Sequence, residues 1–105
     1  MADFVTVAKV EDIPPGNSRT VEVNGILLAL FNVNGTFYAL DNTCPHAGGP
    51  LGEGTLTGDI VECPWHGWQF NVRTGERLEN PNFKVACCPA RVEGDVVQVA
   101  VPPNF

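Results

Sequence analysis

Four side chains able to bind a transition metal stand in two short segments of this 105-residue chain. They are Cys44 and His46 in a C-x-H segment, and Cys63 and His66 in a C-x-x-H segment, with sixteen residues between His46 and Cys63. These are the only two histidines of the chain, and a proline directly follows each of the two cysteines. Proline lacks an N–H and fixes φ, which favours a tight loop whose neighbouring amides can point toward a bound group. The pattern therefore predicts a metal centre with two cysteine and two histidine ligands.

Zinc and a two-iron cluster are the two centres to weigh for this ligand set. Zinc accepts two cysteines and two histidines in a tetrahedron, but zinc fingers usually take both cysteines from one segment and both histidines from another. Each segment here contributes one of each. A binuclear iron–sulfur centre, in which one iron binds both thiolates and the other both imidazoles, suits mixed segments because each segment then spans both irons. A structural zinc module for protein interaction stays open as the remote alternative.

The first forty residues predict β-strands joined by tight turns. Residues 4–10 are rich in β-branched side chains, and strands at 20–23 and 26–31 flank Asn24-Gly25, a two-residue hairpin turn. A second Asn-Gly turn at 34–35 is followed by a strand that leads into Cys44. Eleven glycines and nine prolines agree with many short strands and no long helix. We expect an all-β fold, an antiparallel sandwich or barrel.

The rest of the chain predicts a loop-rich insert and a return to the base strands. Six of the twelve residues from 47 to 58 are Gly or Pro, which predicts loop rather than regular structure. Further strands are predicted at 60–62, 68–71, 84–88 and 96–101, with a third loop around Pro81. We expect a single domain over residues 1–105. Its base would comprise about 3–40 and 84–101, and an inserted subdomain of about 41–83 would hold all four ligands.

Composition limits the classes of partner. The formal net charge is −6 and the pI is near 4.6, which disfavours nucleic acid and anionic membranes and favours a basic protein surface. The N-terminal residues do not resemble a secretory signal, and no apolar run is long enough to cross a membrane. Four cysteines in such a chain indicate metal or redox use rather than a disulfide framework. We expect a soluble, cytoplasmic protein.

Both ligand segments resemble the signature of Rieske iron–sulfur proteins. The likeness covers nearly the whole chain and extends to residues 46–51, 67–70, 74–75 and 92–95. It implies a Rieske fold of two stacked antiparallel sheets with a cluster-binding subdomain at one tip, which holds one [2Fe-2S] cluster. By resemblance, Cys44 and Cys63 bind the inner iron and His46 and His66 the outer iron. Pro81 would lie in a loop over the cluster, and partners would dock near the two histidines.

Four positions beside the ligands depart from the cytochrome bc-type members of that family. Those members join the two segments by a disulfide, where this chain has Gly49 and Trp65. They also place serine and tyrosine hydroxyls on cluster sulfurs, where this chain has Trp68 and Phe70. Fewer hydrogen-bond donors leave more negative charge uncompensated on the cluster, which lowers its potential. We expect no disulfide there and a midpoint near the bottom of the Rieske range, at roughly −150 mV.

Four remaining side chains are assigned by position. Trp65 is expected to shield the cluster and Trp68 to fill the core. Cys87 and Cys88 are adjacent in a predicted strand, where side chains alternate between faces, so at most one should point toward the core. We expect packing roles for this pair rather than a vicinal disulfide.

The choice between enzyme and carrier follows from the histidine count. A Rieske oxygenase needs a second, mononuclear iron held by two further histidines and a carboxylate. No histidine remains for it here, and no G-x-G-x-x-G fingerprint of a flavin or nicotinamide site occurs. We therefore expect an electron-transfer component and not an enzyme.

The resemblance also implies a pathway. It points to a low-potential Rieske-type ferredoxin, the ferredoxin component of a ring-hydroxylating dioxygenase in aromatic hydrocarbon catabolism. Such a carrier passes one electron at a time from a flavin-dependent reductase to a terminal oxygenase. The alternative is the small subunit of a larger reductase such as a nitrite reductase, although those relatives tend to lack the four ligands.

Overall fold

The computed structural model describes residues 4–43, 48–65 and 67–102. In chain order its strands are β1 (Val5–Lys9), β2 (Ser18–Val23), β3 (Ile26–Val33), β4 (Thr36–Asp41), β5 (Thr55–Thr57), β6 (Ile60–Glu62), β7 (Gln69–Asn71), β8 (Cys87–Cys88), β9 (Ala90–Glu93) and β10 (Val96–Val99). Two short 3-10 helices span Val10–Asp12 and Leu51–Glu53. All pairings of these strands are antiparallel, which confirms the predicted all-β fold. No helix in the described ranges is long and apolar enough to cross a membrane.

The strands form three sheets, with the orders β1-β10-β9, β2-β3-β4-β8 and β5-β6-β7. The predicted Asn-Gly turns fix the register of the four-stranded sheet. Asn24 and Gly25 have φ of 51° and 83°, as a two-residue primed turn requires, and Val23 pairs directly with Ile26 across it. The same turn recurs at Asn34-Gly35. These hairpins carry the chain to the first ligand segment.

Strand β3 is buried on both faces, which explains its continuous apolar run. Leu28 and Leu30 join a core that also contains side chains of β10. Ala29 and Phe31 point to the opposite face and join a second core with Phe70 and other residues of the β5-β6-β7 region. The four-stranded sheet is therefore the central layer. One of its faces supports the sheet that holds the chain around Cys63.

Two elements differ from the sequence prediction. The expected loop at 47–58 contains a 3-10 helix and strand β5, because residues 55–57 pair with 60–62 across Gly58, whose φ is 62°. The expected strand at 84–88 is reduced to Cys87–Cys88. Residues 84 and 85 instead pair with the segment at 75–76, through a Glu76–Lys84 bridge and a bond from the Val85 N–H to the Gly75 carbonyl of 2.8 Å. Composition alone did not show that this stretch has two different pairing partners.

Candidate metal centre

Of the four predicted ligands, Cys63 lies within the described residues, whereas Cys44, His46 and His66 lie outside them. Cys63 directly follows β6, and only 1% of its surface is exposed. Its backbone N–H donates to the carbonyl of Trp68 over 2.7 Å, which closes the base of the second ligand loop just before β7. Gly67 within this loop has φ of 72°, a conformation in which glycine is favoured.

The first ligand loop is closed at its base in a similar way. Thr43 and Pro50 form an isolated antiparallel bridge, which brings the two ends of the first ligand loop together. The Leu51 N–H then donates to the carbonyl of Asn42 over 2.7 Å. Each predicted ligand segment is thus held between two paired residues, which fixes where it begins and ends.

Asn42 connects the first loop to the central sheet. Its side chain is 4% exposed, and its carbonyl oxygen accepts from the Gly52 N–H at 2.8 Å and from the Thr20 hydroxyl at 3.1 Å. The Ser18 hydroxyl donates to the Gly52 carbonyl at 2.9 Å, so β2 is linked to the 3-10 turn directly through Ser18 and indirectly through Thr20 and Asn42. Sequence reasoning missed this anchor, because an asparagine at the end of a strand is an ordinary turn signal.

The two loops meet at Gly49. A Cβ atom at this position would lie 2.8 Å from the Cys63 sulfur and 3.0 Å from Cγ of Trp65, closer than such atoms normally approach. The contact brings Gly49 to two of the predicted site residues, Cys63 and Trp65, and leaves the Gly49 backbone directly against the buried sulfur of Cys63, fourteen positions later in the sequence. A buried cysteine sulfur faced by a side-chain-free backbone, between two closed loops, fits a cluster held from both sides.

Trp65 and Trp68 occupy different environments. The Cβ and Cγ atoms of Trp65 lie next to Gly49, while 51% of the surface of Trp65 is exposed. Trp68 is partly buried and packs against the core that contains Phe70, with the two ring centres 6.4 Å apart. Phe70 is fully buried, and Pro81 is exposed in the turn closed by the bond from the Phe83 N–H to the Asn80 carbonyl.

Sequence reasoning also missed Arg77, which stacks on Trp68. The guanidinium carbon lies 3.4 Å from the centre of the indole, and Phe83 meets the same indole edge-on with ring centres 5.5 Å apart. We call Arg77, Trp68 and Phe83 the Trp68 stack. Arg77 pairs with Phe70 across a β-bridge, and the backbone N–H of Arg77 donates to the Phe83 carbonyl at 2.9 Å. The run Glu76-Arg77-Leu78-Glu79 gave no local sign of this contact, since alternating charges usually mark a solvated segment.

The remaining cysteines lie away from this contact, in β8. Cys88 is buried and Cys87 is exposed, and neither is in a disulfide. Burial, with a smaller contribution from the neighbouring Cys87, raises the pKa of Cys88 to about 11, so this thiol stays protonated at neutral pH. Although the residue as a whole is exposed, partial desolvation of its sulfur also raises the pKa of Cys87, and the charge of Lys84 partly offsets this rise. The alternation confirms that one of the two faces the core, and both thiols have low reactivity.

Comparison with known proteins identifies the family. The family model of the Rieske [2Fe-2S] domain matches residues 3–98. Ferredoxin CarAc of Metapseudomonas resinovorans is 43% identical over 79 residues, which cover 74% of this chain and 74% of that protein. The similarity therefore spans both ligand segments and most of each protein.

Solved structures agree in fold. A chain in the complex of reduced oxygenase and oxidized ferredoxin in carbazole 1,9a-dioxygenase superimposes with a TM-score of 0.84, at 38% identity, and covers 92% of each chain. The NADH-dependent nitrite reductase small subunit from Mycobacterium tuberculosis, a function assigned to it provisionally, superimposes with a TM-score of 0.89 at 26% identity, and covers 97% of each chain.

Proposed function

Since this chain belongs to the Rieske [2Fe-2S] family and is an electron carrier of the ferredoxin type, we propose that it passes single electrons from a flavin-dependent reductase to a terminal oxygenase that hydroxylates aromatic rings. The observation that carries the proposal is the similarity over 92% of both chains to a chain from a ferredoxin–oxygenase complex. The histidine count supports it, because both histidines fall in the ligand segments and none remains for a mononuclear iron.

We assign Cys44 and Cys63 to one iron of the cluster and His46 and His66 to the other. The cluster supplies reversible uptake of one electron. The described residues form the surroundings of the cluster. Burial of Cys63 keeps water from its sulfur, and Gly49 lets the backbone of the first loop approach that sulfur. The part of the chain that binds the cluster is then the β5-β6-β7 sheet with its loops, within about 41–83, on a base of about 3–40 and 84–101.

The side chains next to the ligands support a low potential. Trp68 and Phe70 stand where the resemblance places the hydroxyl donors of cytochrome bc-type members, and neither has an O–H. Phe70 is fully buried, so water cannot replace the missing donor at that position. A reduced cluster with fewer donors is less stable, which gives a midpoint near roughly −150 mV.

Partners would dock at the loop tips near His46 and His66. Trp65 and Phe83 are large apolar side chains that remain 51% and 45% exposed, and Pro64 and Pro81 are exposed beside them in the sequence. An apolar centre with a few aromatic anchors is typical of protein docking sites. A cytoplasmic location belongs to the same proposal, since two of the four cysteines stand in the ligand segments and the sequence does not suggest a disulfide framework.

A small subunit of a larger reductase is the second candidate. The observation in its favour is the TM-score of 0.89 with a nitrite reductase small subunit. A free shuttle should purify alone, whereas a subunit should purify in fixed ratio with a large catalytic chain.

Visible absorption, EPR and a redox titration of the purified protein test the proposal. We expect a coloured protein that becomes EPR-active after reduction by one electron, with a midpoint at pH 7 near roughly −150 mV. A colourless, EPR-silent protein would indicate zinc, and a clearly positive midpoint would contradict the low-potential assignment. His46→Cys or His66→Cys should change both the midpoint and the EPR spectrum. An unchanged spectrum would show that these histidines are not ligands.

A further inference from the structure

The charge of Arg77 is withdrawn from solvent and only weakly neutralised. Its side chain is 16% exposed, and its Nε atom is buried without a hydrogen-bond partner among the described residues. One terminal nitrogen lies 3.2 Å from Glu79, but that side chain is 83% exposed. Ion pairs with such a solvated partner contribute little. Stacking on the indole face offsets part of the desolvation cost of the guanidinium.

This cation contacts a residue whose backbone is hydrogen-bonded to a proposed cluster ligand. Arg77 contacts the ring of Trp68 at 3.4 Å, and the Trp68 carbonyl accepts the N–H of Cys63 at 2.7 Å. Trp68 also packs against the core to which the Cys63 side chain belongs. Charges interact more strongly through a protein interior than through water, because the effective dielectric constant is lower.

We propose that Arg77 is a fixed cation that raises the midpoint potential of this ferredoxin, an inference that rests on the proposed function. When the reductase's reduced flavin donates one electron, the centre gains one negative charge, and no bond of the protein forms or breaks. A nearby buried cation stabilises that added charge. Arg77 thereby opposes the effect of Trp68 and Phe70, which supply no hydroxyl donors, and sets how far the potential falls.

Arg77→Gln and Arg73→Gln form a matched pair for the test. Both substitutions remove one positive charge from the same region of the chain, and both arginines lie over an aromatic ring. Arg73, however, is 53% exposed and pairs with Asp59 at 3.2 Å, so solvent and a carboxylate screen its charge. We expect Arg77→Gln to lower the equilibrium constant for reduction by about threefold to tenfold, where tenfold is 59 mV for one electron. Arg73→Gln should change it much less.

Salt and a conservative variant separate charge from packing. The difference between Arg77→Gln and the wild type should persist at high ionic strength, because salt screens buried charges poorly. Arg77→Lys keeps the charge but loses the flat stacking surface, and its midpoint should stay close to that of the wild type. If Arg77→Gln loses its cluster, Arg77→Lys distinguishes a charge role from a packing role. A midpoint close to that of the wild type would support the charge, whereas a large fall in the midpoint would assign Arg77 a packing role.

Failure of the proposed function can be distinguished from failure of the role proposed for Arg77. A wild-type protein without a two-iron EPR signal would overturn the proposed function itself. A fully loaded Arg77→Gln variant whose midpoint matches that of Arg73→Gln would overturn the role of Arg77 and leave the carrier function intact.

Discussion

At the scale of single residues, Gly49 shows how a position without a side chain shapes the site. The resemblance to Rieske proteins marks Gly49 and Trp65 as the places where cytochrome bc-type members carry the two cysteines of a disulfide. Here the two residues still touch, since a Cβ at 49 would lie 3.0 Å from Cγ of Trp65. The base of the Trp65 side chain thus lies against the Gly49 backbone, without a covalent link between the two positions.

Gly49→Ala should impair the site through steric overlap. The added methyl group would lie 2.8 Å from the Cys63 sulfur, so one of the two loops must move. We expect a loss of about 1–3 kcal/mol in the free energy of unfolding, as for other overpacked positions, together with reduced iron content. Urea denaturation and iron analysis measure both quantities.

Gly16→Ala is the control for that substitution. Gly16 has φ of 84° but open space around its Cβ position, so alanine there introduces backbone strain far from the cysteine sulfur. It should lower stability by about 1–2 kcal/mol and leave iron content unchanged. Full iron content in Gly49→Ala would show that the loops tolerate the extra group.

At the scale of elements, the first ligand loop depends on a polar connection to β2. Thr20 in that strand and Gly52 in the 3-10 turn both donate to the buried side-chain oxygen of Asn42. Two donors would lose their acceptor if that oxygen were removed. The element that follows the first loop is therefore fixed by hydrogen bonds as well as by burial of Leu51.

Asn42→Ala should lower the free energy of unfolding by about 1–3 kcal/mol, because it leaves the Gly52 N–H and the Thr20 hydroxyl without an acceptor. Urea denaturation of the holoprotein measures the change. Asn80→Ala serves as the control, since the Asn80 side chain accepts a hydrogen bond from the Asn82 N–H, at 3.1 Å, in an exposed turn. Equal effects of the two substitutions would contradict an anchoring role for Asn42.

At the scale of the whole molecule, charge and shape suit brief encounters with a partner. The formal net charge is −6, and Trp65 and Phe83 are each large apolar side chains exposed at the surface. Attraction between opposite charges accelerates association, while a small apolar contact allows release after transfer. Together these features favour a carrier that must leave one partner to reach the next.

Electron transfer to the oxygenase should slow as salt is added. The second-order rate, followed by stopped-flow absorbance, should fall by roughly tenfold or more between low salt and 0.5 M, because added ions screen the attraction to a basic docking surface. Oxidation by a small uncharged acceptor should show no such dependence. A rate to the oxygenase that is constant or rises with salt would exclude steering by the negative charge of this chain.

The sequence by itself determined the features that depend on short stretches. The types and spacing of Cys44, His46, Cys63 and His66 predict a ligand set, and the Asn-Gly pairs define two hairpins, because both signals lie within short segments. The identities of Trp68 and Phe70 already indicate a centre with few hydroxyl donors.

Only the tertiary structure decided the contacts between distant segments. It stacks Arg77 on Trp68 and packs Gly49 against Cys63. It also brings the Asn42 side chain within hydrogen-bonding distance of Thr20 and Gly52. It also divides the predicted strand at 84–88 between two pairing partners. The physical reason is that these contacts depend on how three sheets pack together, and local propensity carries no information about which side chains will meet across that packing.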